Sequence, residues 1–369
     1  MKHNWEYKKL GEVCDIYQPK TISTTMLVEN GKYPVYGANG IIGKYDKYNH
    51  QEKELLMTCR GATCGSINVS QPYSWINGNA MVIHPLHDNI VFDFLKYQLM
   101  TLNLSCIVTG AAQPQITRQS LTPILIPLPP LPVQERIVEE LDRLSLILEK
   151  KKQQIKELDS LAQSIFYDMF GDPIENEKGW EVKKLGEICS DKQHIIRANK
   201  YFSKTAKIQY IDISSINNSS NTITNTTTFV FENAPSRAQQ KVEYGDVLIS
   251  LVRPNLKNIA SIDIMCNNLV ASSGFCVLRG INVSQYYIKA LVLTNHFTKY
   301  LTERVSGANY PAIHEEDIKN CIIGIPPLDL QQSFAKKIEV IEKQKELINQ
   351  SIKEVQLLFD AKMDYYFGD

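Results

Sequence analysis

Apolar residues recur at spacings of three and four along the middle of the chain: Ile137, Leu141, Leu144, Leu148, Ile155, Leu158, Ala162, Ile165 and Met169, with Lys151 the one polar member. That period predicts a long amphipathic helix, and Pro129, Pro130 and Pro132 punctuate its start. A second run, Phe334, Ile338, Ile341, Ile348, Ile352, Val355, Phe359 and Tyr366, repeats the pattern with Lys345 and Lys362 as interruptions. The polar interruptions fall at different levels, so each helix is matched to the other and not to itself. The plainer alternative is two separate surface helices, each packed on its own domain. At ~1.5 Å per residue, a helix of about 40 residues is roughly 60 Å long, a spacer as much as a core element.

The segments ahead of the two runs carry a different pattern. Glu54–Cys59, Ala80–Leu86, Asp246–Val252 and Gly274–Gly280 are short, apolar and bounded by Gly, Asn or Pro, which predicts strands. Phe92–Leu104 and Ser284–Leu301 read as helices. The class is therefore α+β, with small sheets in two front domains and two long helices between and after them.

The two halves are copies. WEYKKLGEVC at Trp5–Cys14 returns as WEVKKLGEIC at Trp180–Cys189, eight of ten residues identical. TGAAQPQI at Thr109–Ile116 returns as SGANYPAI at Ser306–Ile313, IPLPPLPVQ at Ile126–Gln134 as IGIPPLDLQ at Ile323–Gln331, and Phe170–Asp172 as Phe367–Asp369, all at an offset of 197. From Thr109 to Asp172 the copies align without a gap, 18 of 64 residues identical, whereas the fronts differ by 22 residues in length. Each unit has a variable front and a regular back. If a two-fold axis relates them with antiparallel helices, the chain returns to its start, and Trp5 and Trp180 anchor each front against a helix.

Composition removes several functions. The hydrophobic fraction of 43% and charged fraction of 22% suit a globular chain, and no apolar run is long enough for a membrane span. The opening residues lack the apolar core of a secretory signal, so the eight cysteines are expected as buried thiols in a reducing cytoplasm. Cys59 and Cys64 have no second pair at zinc-ligand spacing. Zero formal net charge argues against general polyanion binding but allows a basic face balanced by acidic helices.

Candidate chemistry is sparse. GANGIIGKY (Gly37–Tyr45) has Tyr45 where a phosphate loop places Ser or Thr. Asp172, Glu181 and Lys183 form a loose nuclease-like set, but Glu6 and Lys8 repeat the last two as part of an amphipathic strand. His84, His194 and His314 have no partner at ligand spacing. No catalytic residue and no metal site is expected.

What remains is recognition. A two-fold pair of domains suits DNA half-sites about one helical turn apart, ~34 Å or a multiple. Polar loop residues available for bases and phosphates are Asn39, Lys44, Arg60, Thr63 and Ser66 in the first domain, and Arg253, Asn255, Lys257, Asn258 and Ser272 in the second. Arg60 aligns with Arg253 at the end of an equivalent strand, where a guanidinium takes guanine or phosphate, or merely closes a strand at the surface. The repeated turn adds Gln113, Gln115, Thr117 and Arg118, or Asn309, Tyr310 and His314; it is equally readable as a turn into the last strand.

These motifs, with YGANGIIGKYD and IPLPPLPVQERIVEELD, resemble the specificity (S) subunit of type I restriction-modification systems over nearly the whole chain. The resemblance implies two target-recognition domains, residues 1–130 and 173–327, and two spacer helices, residues 131–172 and 328–369, in a pseudo-two-fold repeat with an antiparallel, coiled-coil-like spacer. It implies that each domain reads one half of a bipartite double-stranded DNA target. Two methyltransferase (M) subunits would bind the helices, and restriction (R) subunits would join in the full complex. S-adenosylmethionine, ATP and magnesium would sit on those partners, none on this chain. One departure is that Asn309-Tyr310 stand where many members have a glutamine before the proline. The rivals are a protein-interaction scaffold with homodimeric helices and a restriction enzyme carrying its own nuclease centre.

Overall fold

The computed structural model describes residues 5–110, 114–189, 197–307 and 311–368. It divides into two compact units, residues 1–152 with 349–369, and residues 153–348. Both long helices form as their periodicity requires, Leu131–Phe170 and Leu328–Phe367, and each unit contains half of each.

In the first unit β1 (Glu6–Lys9) runs antiparallel to the last strand, β9 (Leu125–Leu128), with Glu6 opposite Leu128. The Leu-Gly-Glu that follows makes one helical turn, capped by the Glu12 carboxylate on the Lys9 amide at 3.2 Å. Gly11 is required there: a Cβ would stand 2.4 Å from the Thr122 methyl. The second unit repeats the joint. Its β10 (Glu181–Lys184) pairs with β20 (Ile322–Ile325), and a Cβ on Gly186 would stand 2.9 Å from that of Lys319. The repeated ten residues are thus a closure that ties the front of each domain to its last strand. The tryptophans are half-buried: Trp5 packs against the cluster formed by Phe94, Tyr97, Ile137, Leu141, Met363 and Phe367, and Trp180 Nε1 donates to the Phe170 carbonyl at 2.9 Å.

The first unit's main sheet has the order β2-β8-β5-β6, with β2 at Cys14–Tyr17, β5 at Leu55–Thr58, β6 at Ile67–Val69 and β8 at Ala80–Pro85. A second sheet, β4-β3-β7, joins β3 (Tyr33–Gly37), β4 (Gly40–Tyr45) and the parallel β7 (Trp75–Ile76). Alternate residues of β5 feed two cores, Leu55 and Met57 on one face and Leu56 on the other. Burial on both faces is why the strand reads as an unbroken apolar run. The helix Phe92–Thr101 then lays Phe94 and Tyr97 on the spacer segments.

The second unit follows the same plan. Its β16 (Val247–Ser250) lies between β17 (Ile259–Ser261) and β19 (Phe275–Leu278), as β5 lies between β6 and β8. The parallel pair is β11 (Lys207–Ile211) with β18 (Leu269–Ser272), and β15 (Ala238–Lys241) runs antiparallel to β18 on its other side. Where the first unit turns from β3 to β4 through Ala38 and Asn39, the second inserts a small hairpin, β12 (Ile216–Asn217) with β13 (Thr222–Ile223), before β14 (Thr227–Val230) returns to β11. The helical stretch expected over Ser284–Leu301 is broken in two, Gln285–Val292 and Asn295–Thr302, because Thr294 caps the second piece through Phe297 N.

Each spacer helix starts on a buried glutamine. Gln134 accepts from Val91 N and donates to the Asn89 and Pro129 carbonyls, and Gln331 accepts from Ser284 N and donates to the Pro326 carbonyl, all at 2.8–2.9 Å. The repeated PPLxxQ is therefore a docking hook. In the first unit the helix halves meet through Leu141, Met363 and Phe367, with Lys362 paired to Glu140 at 2.6 Å. Leu148 is also buried there, and Leu144, Ile352 and Val355 are half-buried. In the second, Ile338 and Ile341 are buried, Ile155, Leu158 and Ile348 are half-buried, and Lys345 pairs with Asp159 at 2.7 Å. Lys345 and Lys362, which interrupt the second seam, thus meet carboxylates on the facing helix.

Gly171, at φ +68°, ends the first long helix. Asp172 is buried, accepts from the Ile174 and Glu175 amides, and meets His296 Nδ1 at 2.5 Å. Glu181 is exposed and pairs with Lys183 on β10. The nuclease-like set is thus a helix stop and a strand-surface pair.

Candidate nucleic-acid interface

The chain end of β5 gathers most of the first domain's candidates. Cys59 accepts from Ile116 N, Gly61 N donates to Pro114 O, and Arg60 bridges Gln115, so the Thr-Gly-Ala turn is stitched to the strand end. Thr58 also donates its hydroxyl to the Ala38 carbonyl, bringing the β3–β4 turn and exposed Asn39 to the same edge. Thr63 and Ser66 lie in the next turn, which closes back on Thr58 through Thr58 N to Ser66 O. Arg118 follows on the one-turn helix capped by Thr117. Lys44 lies farther along β4, opposite Pro34. Arg60, Arg118 and Lys44 are exposed and have no ion-pair partner among the described residues.

The second unit has the same edge with a different register. Ile313 N donates to Leu251 O and Val252 bridges Ala312, so Leu251 and Val252 occupy the places of Cys59 and Arg60. Arg253, whose amide donates to Pro311 O, therefore corresponds to Gly61. The expected equivalence of Arg60 and Arg253 is off by one residue, and in an extended strand one residue turns a side chain to the other face. Both equivalent positions are left-handed, Gly61 at φ +86° and Arg253 at φ +50°.

Asn255 is exposed and Asn258 is half-buried beside it. Lys257 is committed elsewhere: its ammonium donates to Leu293 O at 3.0 Å and Asn295 Oδ1 at 2.9 Å, and burial lowers its pKa. Ser272 is fully buried and accepts from Gly274 N, so it offers nothing to a ligand. His314 is exposed and heads the capping box of Glu315–Lys319, as Thr117 does in the first unit. Gln113, Asn309 and Tyr310 lie outside the described residues.

Two features escaped sequence reasoning. Ile41 and Ile42 are exposed beside the β3–β4 turn, and the inserted hairpin carries exposed Asn217, Asn218, Ser219 and Ser220. The run of Asn and Ser after an apolar stretch was the available signal for the second. Cys59 and Cys64 stay thiols, and no group of three or more His, Cys, Asp or Glu suited to a metal occurs among the described residues. Among those residues, too, no helix is long and apolar enough to cross a membrane.

Behind the first edge His50 is nearly buried, with Nδ1 at 2.7 Å from Asn49 Oδ1 and Nε2 at 3.0 Å from the Tyr17 hydroxyl. Nδ1 donates and Nε2 accepts, which is a neutral ring, and burial followed by the nearby His84 lowers its pKa below the usual 6.5. The folded chain then binds fewer protons than the unfolded one, so the stability His50 lends is present above 6.5 and is lost as the pH falls through its lowered value. Melting temperatures across that window should fall for the parent and fall less for His50→Gln; equal slopes would remove His50 as the cause.

Two duplicated units with matching strand-end edges, carried on shared helices, define a tandem-repeat α+β protein. The chain belongs to the family described as type I restriction modification DNA specificity domain, which matches residues 2–158 and 177–357. It is similar to the MjaVIII specificity subunit of Methanocaldococcus jannaschii, 23% identical over 403 aligned positions covering 98% of this chain and 93% of the relative. A specificity subunit of Haemophilus influenzae, S.HindORF215P, is 30% identical over 148 residues, 38% of each chain. The crystal structure of the type I restriction-modification S subunit from M. genitalium shares the fold at TM-score 0.59 and 15% identity, covering 99% of this chain and 96% of that one. This is the DNA-recognition subunit of a restriction-modification complex and not its catalytic one.

Proposed function

We propose that each strand-end edge reads one half of a split double-stranded DNA target. Asn39, Arg60, Thr63, Ser66, Gln115 and Arg118 would act in one domain and Arg253, Asn255 and Asn258 in the other. The observation that carries this reading is the matched pair of edges, each holding an exposed arginine with no ion-pair partner among the described residues. The spacer helices expose Leu146, Ile147, Leu357 and Leu358 in the first unit, and Leu161, Val340 and Leu347 in the second. Such apolar faces suit two methyltransferase subunits that carry S-adenosylmethionine, with restriction subunits supplying ATP- and magnesium-dependent cleavage.

Mapping methylated bases in cells that express this chain with and without the methyltransferase subunit tests the reading. Methyladenine at a split sequence is expected only with both; its absence from an assembled pair would end the proposal. Affinity should fall steeply with salt, by a log-log slope of about −0.9 for each phosphate neutralised. A slope near zero would leave the exposed arginines without phosphate contacts.

A further inference from the structure

We propose that Arg253 is the guanine reader of the second domain, kept on a braced loop in a costly backbone conformation. The inference rests on the DNA-reading proposal above. Arg253 has φ +50° and ψ +63°, a region that side chains with a Cβ avoid and glycine enters freely. It also precedes Pro254, whose ring disfavours helical conformations in the residue before it. The equivalent position of the first unit is Gly61, so the fold itself asks for glycine here. Arginine at this place is unfavourable for folding and has no ion-pair partner among the described residues to offset it. Strain kept in an exposed residue points to a ligand.

The surroundings favour a base contact. A phosphate contact tolerates a loosely attached cation, whereas reading O6 and N7 of guanine together gains from an arginine whose backbone is already placed. The Arg253 amide is held by Pro311 O at 2.8 Å, and Pro254 behind it is buried. The loop's other end is braced by Lys257, itself left-handed, through Leu293 O and Asn295, while Asn221 Nδ2 donates to the Lys257 and Ile259 carbonyls. A five-residue loop fixed at both ends presents one free guanidinium; Lys257 is the brace.

The test uses the full chain assembled with its methyltransferase partner on its mapped target. Each guanine is replaced singly by 7-deazaguanine, which lacks the N7 acceptor. One position should cost the parent about tenfold in Kd, and Arg253→Gly should lose about tenfold or more on natural DNA while ignoring that replacement. Arg253→Gly should also melt at or above the parent temperature, because glycine relieves the backbone. The inference is overturned if the parent ignores every 7-deazaguanine, if Arg253→Gly keeps the parent's penalty, or if it weakens all sequences alike, the mark of a phosphate contact. In those cases the split target remains and the domain still reads DNA; if the parent has no split target, both proposals fall.

Discussion

Asp246→Ala should destabilise the second unit by about 3–5 kcal/mol, the loss expected when one partner of a buried ion pair is removed. Asp246 is 1% exposed at the start of β16, and its two oxygens accept from Arg279 Nε and Nη2, each at 2.7 Å. It also accepts from the Glu243 amide at 2.8 Å. The alanine variant leaves a half-buried guanidinium without its carboxylate partner, with Glu243 still at 3.2 Å, and takes away the acceptor of the Glu243 amide. Asp246→Asn preserves the shape and removes the charge, so it should lose less. Urea unfolding followed by circular dichroism reads both; equal, small losses would mean that Glu243 and water replace the carboxylate.

Phe334→Ala should cost a similar amount, about 3–5 kcal/mol, by opening a cavity. Phe334 begins the apolar seam of the second long helix and is 1% exposed, with ring centroids 5.6 Å from Phe166 and 5.2 Å from Phe170. Tyr287 completes the cluster, 5.1 Å from Phe170, and fixes its orientation by donating to the Gly324 carbonyl at 2.5 Å. Four large rings, all but the tilted Phe166–Tyr287 pair meeting edge to face, cannot collapse into the gap that one leaves. Phe334→Leu keeps most of the volume and should lose well under half as much, and a thermal melt separates the two. If the alanine variant melts with the parent, the cluster is not what joins the helix to the domain.

The elements most legible in the sequence were those set by a local period. Both long helices follow directly from spacings of three and four, and the duplicated motifs proved to be joints: Gly11 and Gly186 where a Cβ would collide, Gln134 and Gln331 where a helix hooks its domain. The fronts were harder. Strands such as Leu55–Thr58, buried on both faces, lose the alternation that would fix their orientation, so the sequence matches Arg253 to Arg60 where the fold matches it to Gly61. Lys257 and Ser272 looked available because composition does not show that a lysine braces a helix end or that a serine is sealed within a strand. His50 carries no sequence signal, since Tyr17, which holds its Nε2, lies 33 positions away and meets it only in the fold.

That each unit contains half of each long helix bears on how the protein is made. The core under Phe94 and Tyr97 is closed by Met363 and Phe367, more than 250 positions farther along the chain. A ribosome that has delivered the whole first recognition domain has not yet delivered the side chains that complete it. A nascent chain stalled in the second domain carries an unfinished first one, with Ile137 and Leu141 uncovered. Chaperones and proteases can recognise that apolar surface, so the interleaved helices make synthesis of the second domain a condition for the first to survive.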